Sequence, residues 1–308
     1  MNQRNLKIIL CIPRGFCAGV TRAIETVEKA LEKFDYPVYV RHEIVHNKYV
    51  VDKLKEKGAI FIEELDEIED YSTVIFSAHG VPESVKSHAN SKHLNSIDAT
   101  CPLVEKVHKK VKRNFENNIT SILIGHKNHP EVIGTMGQVP HGAIILVSKV
   151  QEVEKLDPNL NVAYVTQTTL SVDETSGIFK ALKQKYPYLK EDNDICFATT
   201  NRQKAVKEIA PKCDKIFVVG APNSSNSKRL VEVAIENGCK NACLIQNESE
   251  IDWNDFDNIN VLGITAGASA PEILIDNILK KAKNYFNIEI ENSDGKEENL
   301  NFKLPKGI

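Results

Sequence analysis

Phe16-Cys17-Ala18-Gly19-Val20 heads a stretch whose apolar residues fall at Val20, Ile24, Val27 and Leu31. Steps of three and four put these on one face of a helix, so Cys17 sits just before an amphipathic helix. The arrangement returns twice. After Cys101 the apolar positions are Val104, Val107, Val111 and Phe115; after Cys196 a shorter stripe runs through Val206, Ile209 and Ala210. Each predicted helix is followed by a strand that ends in polar residues. These are Val38 to Val45 before His46-Asn47, Ser121 to Gly125 before His126-Lys127-Asn128-His129, and Lys215 to Gly220 before Asn223-Ser224-Ser225-Asn226. The spacing is nearly constant: His46 lies 29 residues beyond Cys17, His129 28 beyond Cys101, and Ser224 28 beyond Cys196.

The parallel extends further, and internal repetition of this length decides how a fold is read. Another helix follows in each unit, then a strand trailed by acidic residues at Glu63-Glu64-Leu65-Asp66, Glu154-Lys155-Leu156-Asp157 and Glu248-Ser249-Glu250. An apolar strand closes each unit at Ser77-Ala78-His79-Gly80, Thr166-Gln167-Thr168-Thr169 and Thr265-Ala266-Gly267-Ala268-Ser269. Strands alternating with helices predict an α/β fold of three pseudo-threefold-related lobes, each with a mostly parallel sheet and flanking helices. The expected divisions are an N-terminal strand in 1–16, lobes at 17–100, 101–195 and 196–283, and a polar C-terminal tail over 284–308. No Gly/Ser-rich or Pro-rich linker separates the lobes. Ligands of parallel α/β units gather at the carboxyl ends of strands and the following helix N-termini, where the cysteines and the polar tier fall. A pseudo-threefold arrangement predicts that the three thiols meet at one centre as a metal site.

The 308 residues are long enough for a substantial core, and a net charge of −3 gives no reason to propose nucleic acid. No stretch approaches the roughly 18 apolar residues of a membrane span. The run Ile8-Ile9-Leu10-Cys11-Ile12 is too short for a secretory segment and reads as a buried strand, predicting a cytoplasmic protein. Seven cysteines, an odd number spread over a long chain, argue against a disulfide framework. Cys11, Cys213, Cys239 and Cys243 lack the repeat and are expected in the core.

Cys17, Cys101 and Cys196 are the candidate metal ligands. Three cysteines leave one iron of a 4Fe–4S cluster open, whereas zinc with a fourth ligand from His46, His79 or His129 satisfies the spacing equally. The polar tier, His46, Asn47, His79, His129, Thr168, Ser224, Ser225, Asn226 and Ser269, offers hydrogen-bond donors suited to a compact polyanion such as diphosphate. Taken singly, each Ser or Asn is an ordinary cap or turn residue. In His129-Pro130-Glu131, Glu131 begins a helix and is the candidate proton donor. The basic run from Lys106 to Arg113 reads as a solvated helix face, with a docking patch for an acidic electron carrier as the alternative. No G-x-G-x-x-G nicotinamide fingerprint stands between a strand and a helix.

The strings Pro13-Arg14-Gly15-Phe16-Cys17-Ala18-Gly19-Val20, Asp98-Ala99-Thr100-Cys101-Pro102 and Thr199-Thr200-Asn201-Arg202-Gln203 beside Cys196 resemble the LytB family of 4-hydroxy-3-methylbut-2-enyl diphosphate reductases. Ser77-Ala78-His79-Gly80-Val81-Pro82, His129-Pro130-Glu131, Ala221-Pro222-Asn223-Ser224-Ser225-Asn226-Ser227 and Gly267-Ala268-Ser269-Ala270-Pro271 match as well, in order over nearly the whole chain. The resemblance implies one 4Fe–4S cluster held by Cys17, Cys101 and Cys196 with one open iron. It implies diphosphate binding by His46, His79, His129, Ser224, Ser225, Asn226 and Ser269, substrate orientation by Thr168, and proton supply by Glu131. It further implies a small diphosphate substrate and electrons from ferredoxin or flavodoxin. The rivals are a zinc hydrolase of a phosphorylated metabolite and a non-catalytic iron–sulfur sensor.

Overall fold

Short strands rich in Val and Ile alternate with amphipathic helices throughout the computed structural model, which describes residues 3–34, 37–190 and 194–308. β1 (Arg4–Leu10) leads to α1 (Ala18–Lys33), β2 (Val38–Arg41), α2 (Lys48–Glu56), β3 (Ala59–Ile62) and β4 (Thr73–Phe76). Next come α3 (Glu83–Ser91), β5 (Asn95–Asp98), α4 (Pro102–Glu116), β6 (Thr120–Ile124), α5 (Pro130–Met136) and β7 (Ile144–Val147). α6 (Val150–Val153), β8 (Val162–Thr166), α7 (Val172–Lys185), α8 (Phe197–Ile209), β9 (Lys215–Val219) and α9 (Ser225–Glu236) follow. β10 (Ala242–Ile245), β11 (Val261–Ala266), α10 (Glu272–Ala282) and β12 (Phe286–Asn292) complete the order.

The strands form three sheets, ordered β3-β2-β4-β5, β7-β6-β8 and β10-β9-β11-β1-β12, and every pairing is parallel. One plan underlies all three. The first strand after each cysteine-led helix (β2, β6, β9) lies between the second strand (β3, β7, β10) and the closing strand (β4, β8, β11). Outside the closing strand comes the segment that leads into the next cysteine. β5 pairs with β4 ahead of Cys101, and β1 pairs with β11 ahead of Cys17. Beside β8 the Asp194 N–H donates to Thr166 Oγ1 at 3.1 Å, ahead of Cys196.

By their contacts, the residues divide into two units. One comprises Met1–Ala18, His46–Val50 and Phe197–Leu300 and holds the five-stranded sheet; the other comprises Gly19–Val45, Val51–Cys196 and Asn301–Ile308 and holds the other two. In the five-stranded sheet Leu6, Ile8 and Leu10 face Trp253, Phe256, Leu274 and Ile278, while Ile9 and Cys11 face Val206, Ile209, Leu230 and Val233. Burial on both faces is what a parallel sheet requires, and each fully covered isoleucine such as Ile8 or Ile264 contributes about 2–3 kcal/mol.

Two expectations need correction. The C-terminal segment is not wholly a tail: Phe286–Asn292 is β12, paired with β1 along its full length from Arg4↔Phe286 to Leu10↔Asn292. Its polar alternation hid it, because an edge strand buries little of its outer face. Phe115 is not on the buried stripe of α4 but 45% exposed; that stripe ends in Asn114, whose amide donates to Ser121 Oγ at 3.0 Å. The short stripe Val206, Ile209 and Ala210 is fully buried as expected, and ahead of it α8 buries Ala198 together with the polar Thr199, Arg202 and Gln203.

Candidate functional site

Each of the three cysteines is placed by the same backbone hydrogen bond. Cys17 N–H donates to Ala268 O at 3.2 Å, Cys101 N–H to Ala78 O at 3.0 Å, and Cys196 N–H to Thr168 O at 3.1 Å. Each acceptor lies two residues beyond a closing strand, β11, β4 and β8 respectively. The thiols therefore stand where a strand's carboxyl end meets a helix N-terminus, as their spacing predicts. None of the seven cysteines forms a disulfide, and these three are half-buried. Cys11, Cys213 and Cys239 lie in the core, and burial pushes the first two up to about 12, so they stay protonated thiols. Cys243, half-buried, packs against the core of the five-stranded sheet, and burial raises it as well.

In the first unit the Cys17 loop turns through Gly15 at φ +66°, a left-handed conformation that a side chain strains. Gly15 N–H donates to Ala266 O at 3.2 Å, holding the loop over the end of β11. Ser224 caps α9, its Oγ accepting from Ser227 N–H at 3.3 Å and from Ser227 Oγ at 3.0 Å. Asn226, 4% exposed, makes no hydrogen bond with either side-chain atom. A buried amide in that condition costs roughly 1–3 kcal/mol per lost partner, which marks a position built for a bound group. Gly267 lies alongside: a Cβ there would stand 2.1 Å from Ser227 Oγ and 3.5 Å from Asn226 Nδ2. Ser269 Oγ donates to His46 O at 2.9 Å, and the His46 ring lies 3.3 Å (Nδ1 to Nδ2) from Asn223. His46, Ser269 and the α9 N-terminus are thus joined, and Asn47 is drawn off to cap α2 through Val50 N–H.

In the second unit Glu131, 3% exposed, accepts from Thr168 N–H at 2.6 Å on Oε1 and from Thr168 Oγ1 at 2.9 Å on Oε2. Burial pushes its carboxyl up to about 7; the two Thr168 hydrogen bonds work against the shift and the Asp194 charge adds to it. Glu131 N–H in turn donates to His129 Nδ1 at 3.2 Å, so His129 caps α5 with an Nδ1 that bears no proton. The His129 and His79 rings meet edge to face with centroids 5.9 Å apart, and His79 Nδ1 is 3.4 Å from Ser77 Oγ. Gln167 adds a residue that no sequence motif marks. Its Oε1 accepts from His126 N–H at 3.0 Å and its Nε2 donates to Thr169 Oγ1 at 2.9 Å, tying the His126–His129 turn to β8. Its place beside Thr168 was visible; its role needs the pairing of β6 with β8.

The basic run winds around α4 rather than lying on one solvated face: Lys109 pairs with Glu105 on the surface, whereas Lys110 is turned inward against the buried Asp194, and His108 is 5% exposed. Among the described residues no helix is long and apolar enough to cross a membrane. Thiols free of disulfides at strand ends suit a soft iron–sulfur group, and an amide with unused donor and acceptor atoms beside a glycine cradle suits a phosphate-like ligand.

A family model described as LytB protein matches residues 8–283. A 4-hydroxy-3-methylbut-2-enyl diphosphate reductase 2 of Rhodopseudomonas palustris is 55% identical over 307 residues, spanning 98% of this chain and 96% of the relative. The reductase 1 of Bradyrhizobium diazoefficiens is also 55% identical, over 99% of this chain and 96% of its own. Among solved structures, an E-1-hydroxy-2-methyl-but-2-enyl-4-diphosphate reductase from Plasmodium falciparum superposes with a TM-score of 0.90 at 42% identity, covering 99% and 96% of the two chains. The chain belongs to the LytB protein family.

Proposed function

We propose that this protein is a 4-hydroxy-3-methylbut-2-enyl diphosphate reductase, the last enzyme of the non-mevalonate isoprenoid pathway. The reaction takes the allylic alcohol, two electrons and two protons to isopentenyl or dimethylallyl diphosphate and water. Cys17, Cys101 and Cys196 would hold a 4Fe–4S cluster, which would supply electrons one at a time and, at an open iron, Lewis-acid chemistry.

The observation that carries the reading is the Glu131–Thr168 pair. Hydroxide leaves poorly, so the oxygen must depart as water, and a proton donor has to hold its proton near neutral pH. Burial gives Glu131 that property. In its protonated form Oε1 still accepts from Thr168 N–H, and Oε2–H donates to Thr168 Oγ1. The Thr168 hydroxyl is then left to pass its own hydrogen toward the substrate oxygen. Thr168 also accepts the Cys196 N–H through its carbonyl, so the donor and a candidate cluster ligand share one residue.

Asn226, Ser224, Ser225 and Ser269, with His46, bind the diphosphate, and the unsatisfied Asn226 amide at the start of α9 supports this. His79 and His129 share the role by the family resemblance. The electron donor is ferredoxin or flavodoxin, and the protein works in the cytoplasm. Anaerobic purification tests the cofactor: a brown protein with iron and acid-labile sulfide is expected, and a colourless zinc protein would overturn the proposal. Clustered protein that fails to convert the allylic diphosphate with reduced viologen would mark a sensor instead.

A further inference from the structure

Two of the strings quoted above, Arg14-Gly15-Phe16-Cys17 and Asn201-Arg202-Gln203, have residues without a role in the reaction, and they bond to each other. Arg202 is 1% exposed. Its Nε and Nη2 donate to Gly15 O at 3.1 and 2.7 Å, and Nη2 also donates to Phe16 O at 3.3 Å. Nη1 donates to Ala198 O at 2.8 Å and pairs with Glu298 at 2.9 Å, and Asn201 Nδ2 donates to the other Glu298 oxygen at 2.9 Å. A buried guanidinium is costly unless all its hydrogens are used, and here they are. The same C-terminal stretch grips the loop from its other end: Ser293 N–H donates to Leu10 O at 2.9 Å, and Ser293 Oγ accepts from Ile12 N–H at 2.8 Å.

We infer that Arg202, backed by Glu298 and Ser293, is a positioning clasp that presets the loop carrying Cys17. The guanidinium occupies the carbonyls of the two residues preceding the cysteine, so the thiol's backbone is ordered before any group binds it. A C-terminal stretch that contributes no ligand thereby serves one. The inference rests on the reading of Cys17 as a cluster ligand, and its test is chosen to be independent of that reading.

The test compares the full chain, stripped of metal by a chelator, with its Arg202→Lys variant. Lysine keeps the charge but lacks the planar fork. Iodoacetamide labelling of each cysteine is followed by peptide mass spectrometry alongside the unfolding midpoint. Cys17 should label about tenfold faster in the variant, with Cys101 and Cys196 within about twofold of wild type. Glu298→Gln, which retains an acceptor without charge, should accelerate Cys17 labelling about threefold and serves if Arg202→Lys does not fold. In cluster-loaded protein, iron release to a chelator should quicken in the same order. An unchanged Cys17 rate overturns the clasp, as does a rise shared by all three cysteines in step with lost thermal stability. A selective Cys17 response in a protein that binds no iron or sulfide would sustain the clasp and overturn the functional reading.

Discussion

Replacing Glu131 with Gln removes a carboxyl whose folded-state affinity for a proton is raised well above its ordinary value. Burial moves it from 4.5 to about 7. At about 1.36 kcal/mol per pH unit, ionising it in the folded protein costs about 3 kcal/mol more than in the unfolded chain. The sign follows from proton binding: the folded state holds this proton more tightly. Stability therefore falls as pH rises from about 4.5 to about 7 and levels off above, once both states are ionised. Glutamine has no such limb, and it can make both bonds of the protonated carboxyl, Oε1 accepting from Thr168 N–H and Nε2 donating to Thr168 Oγ1. It should therefore match wild type within about 1 kcal/mol at pH 5, where the folded protein holds both side chains neutral. At pH 8.5 the variant should be the more stable by about 3 kcal/mol. For a chain of this length the swing of 3 kcal/mol amounts to about 5 °C in midpoint. Calorimetric scans of both proteins at matched pH, anaerobic and in the same cofactor state, measure the difference and cancel every other titrating group. A midpoint difference that stays within about 1 °C from pH 5 to 8.5 would refute the assignment of a buried, proton-holding Glu131. The variant should also lose most turnover, and turnover at the wild-type rate would remove Glu131 from the proton path.

Other consequences can be checked separately. Cys101→Ser should lower bound iron and sulfide to a small fraction of wild type in anaerobically purified protein. Asn226→Ala should weaken substrate binding about tenfold while raising the unfolding midpoint slightly, because it deletes a buried amide whose polar atoms have no protein partner; calorimetric titration and thermal scans read the two effects. His108 is buried, its Nε2 has no hydrogen-bond partner, and burial lowers its pKa from 6.5 to about 4. Its folded state resists protonation, so its cost grows as pH falls from about 6.5 to 4. His108→Leu should therefore gain stability over wild type by about 3 kcal/mol between pH 7 and pH 4 in acid-unfolding curves.

How much of this was legible from the residues depends on distance along the chain. Cys17, Cys101 and Cys196 announced themselves because the same helix stripe follows each, and periodicity of three and four is a local property of the backbone. The β-α alternation, and hence the parallel sheets, came from the same kind of signal. Glu131 was singled out from His129-Pro130-Glu131, but nothing within that string reveals that Thr168 holds both of its oxygens. Asn226 stood in the polar tier from the start, but nothing in Ser224-Ser225-Asn226 reveals that burial leaves its amide without a hydrogen-bond partner.

Sequence alone determined the class of fold, the threefold repetition and the residue types at strand ends, since each follows from side-chain pattern within a few turns of chain. Tertiary structure alone decided that β12 pairs with β1, that Arg202 closes over Gly15 and Phe16, and that burial brings the Glu131 carboxyl near neutrality. Those outcomes depend on groups tens to hundreds of residues apart, and on water being excluded where they meet. Neither condition leaves a mark in local periodicity.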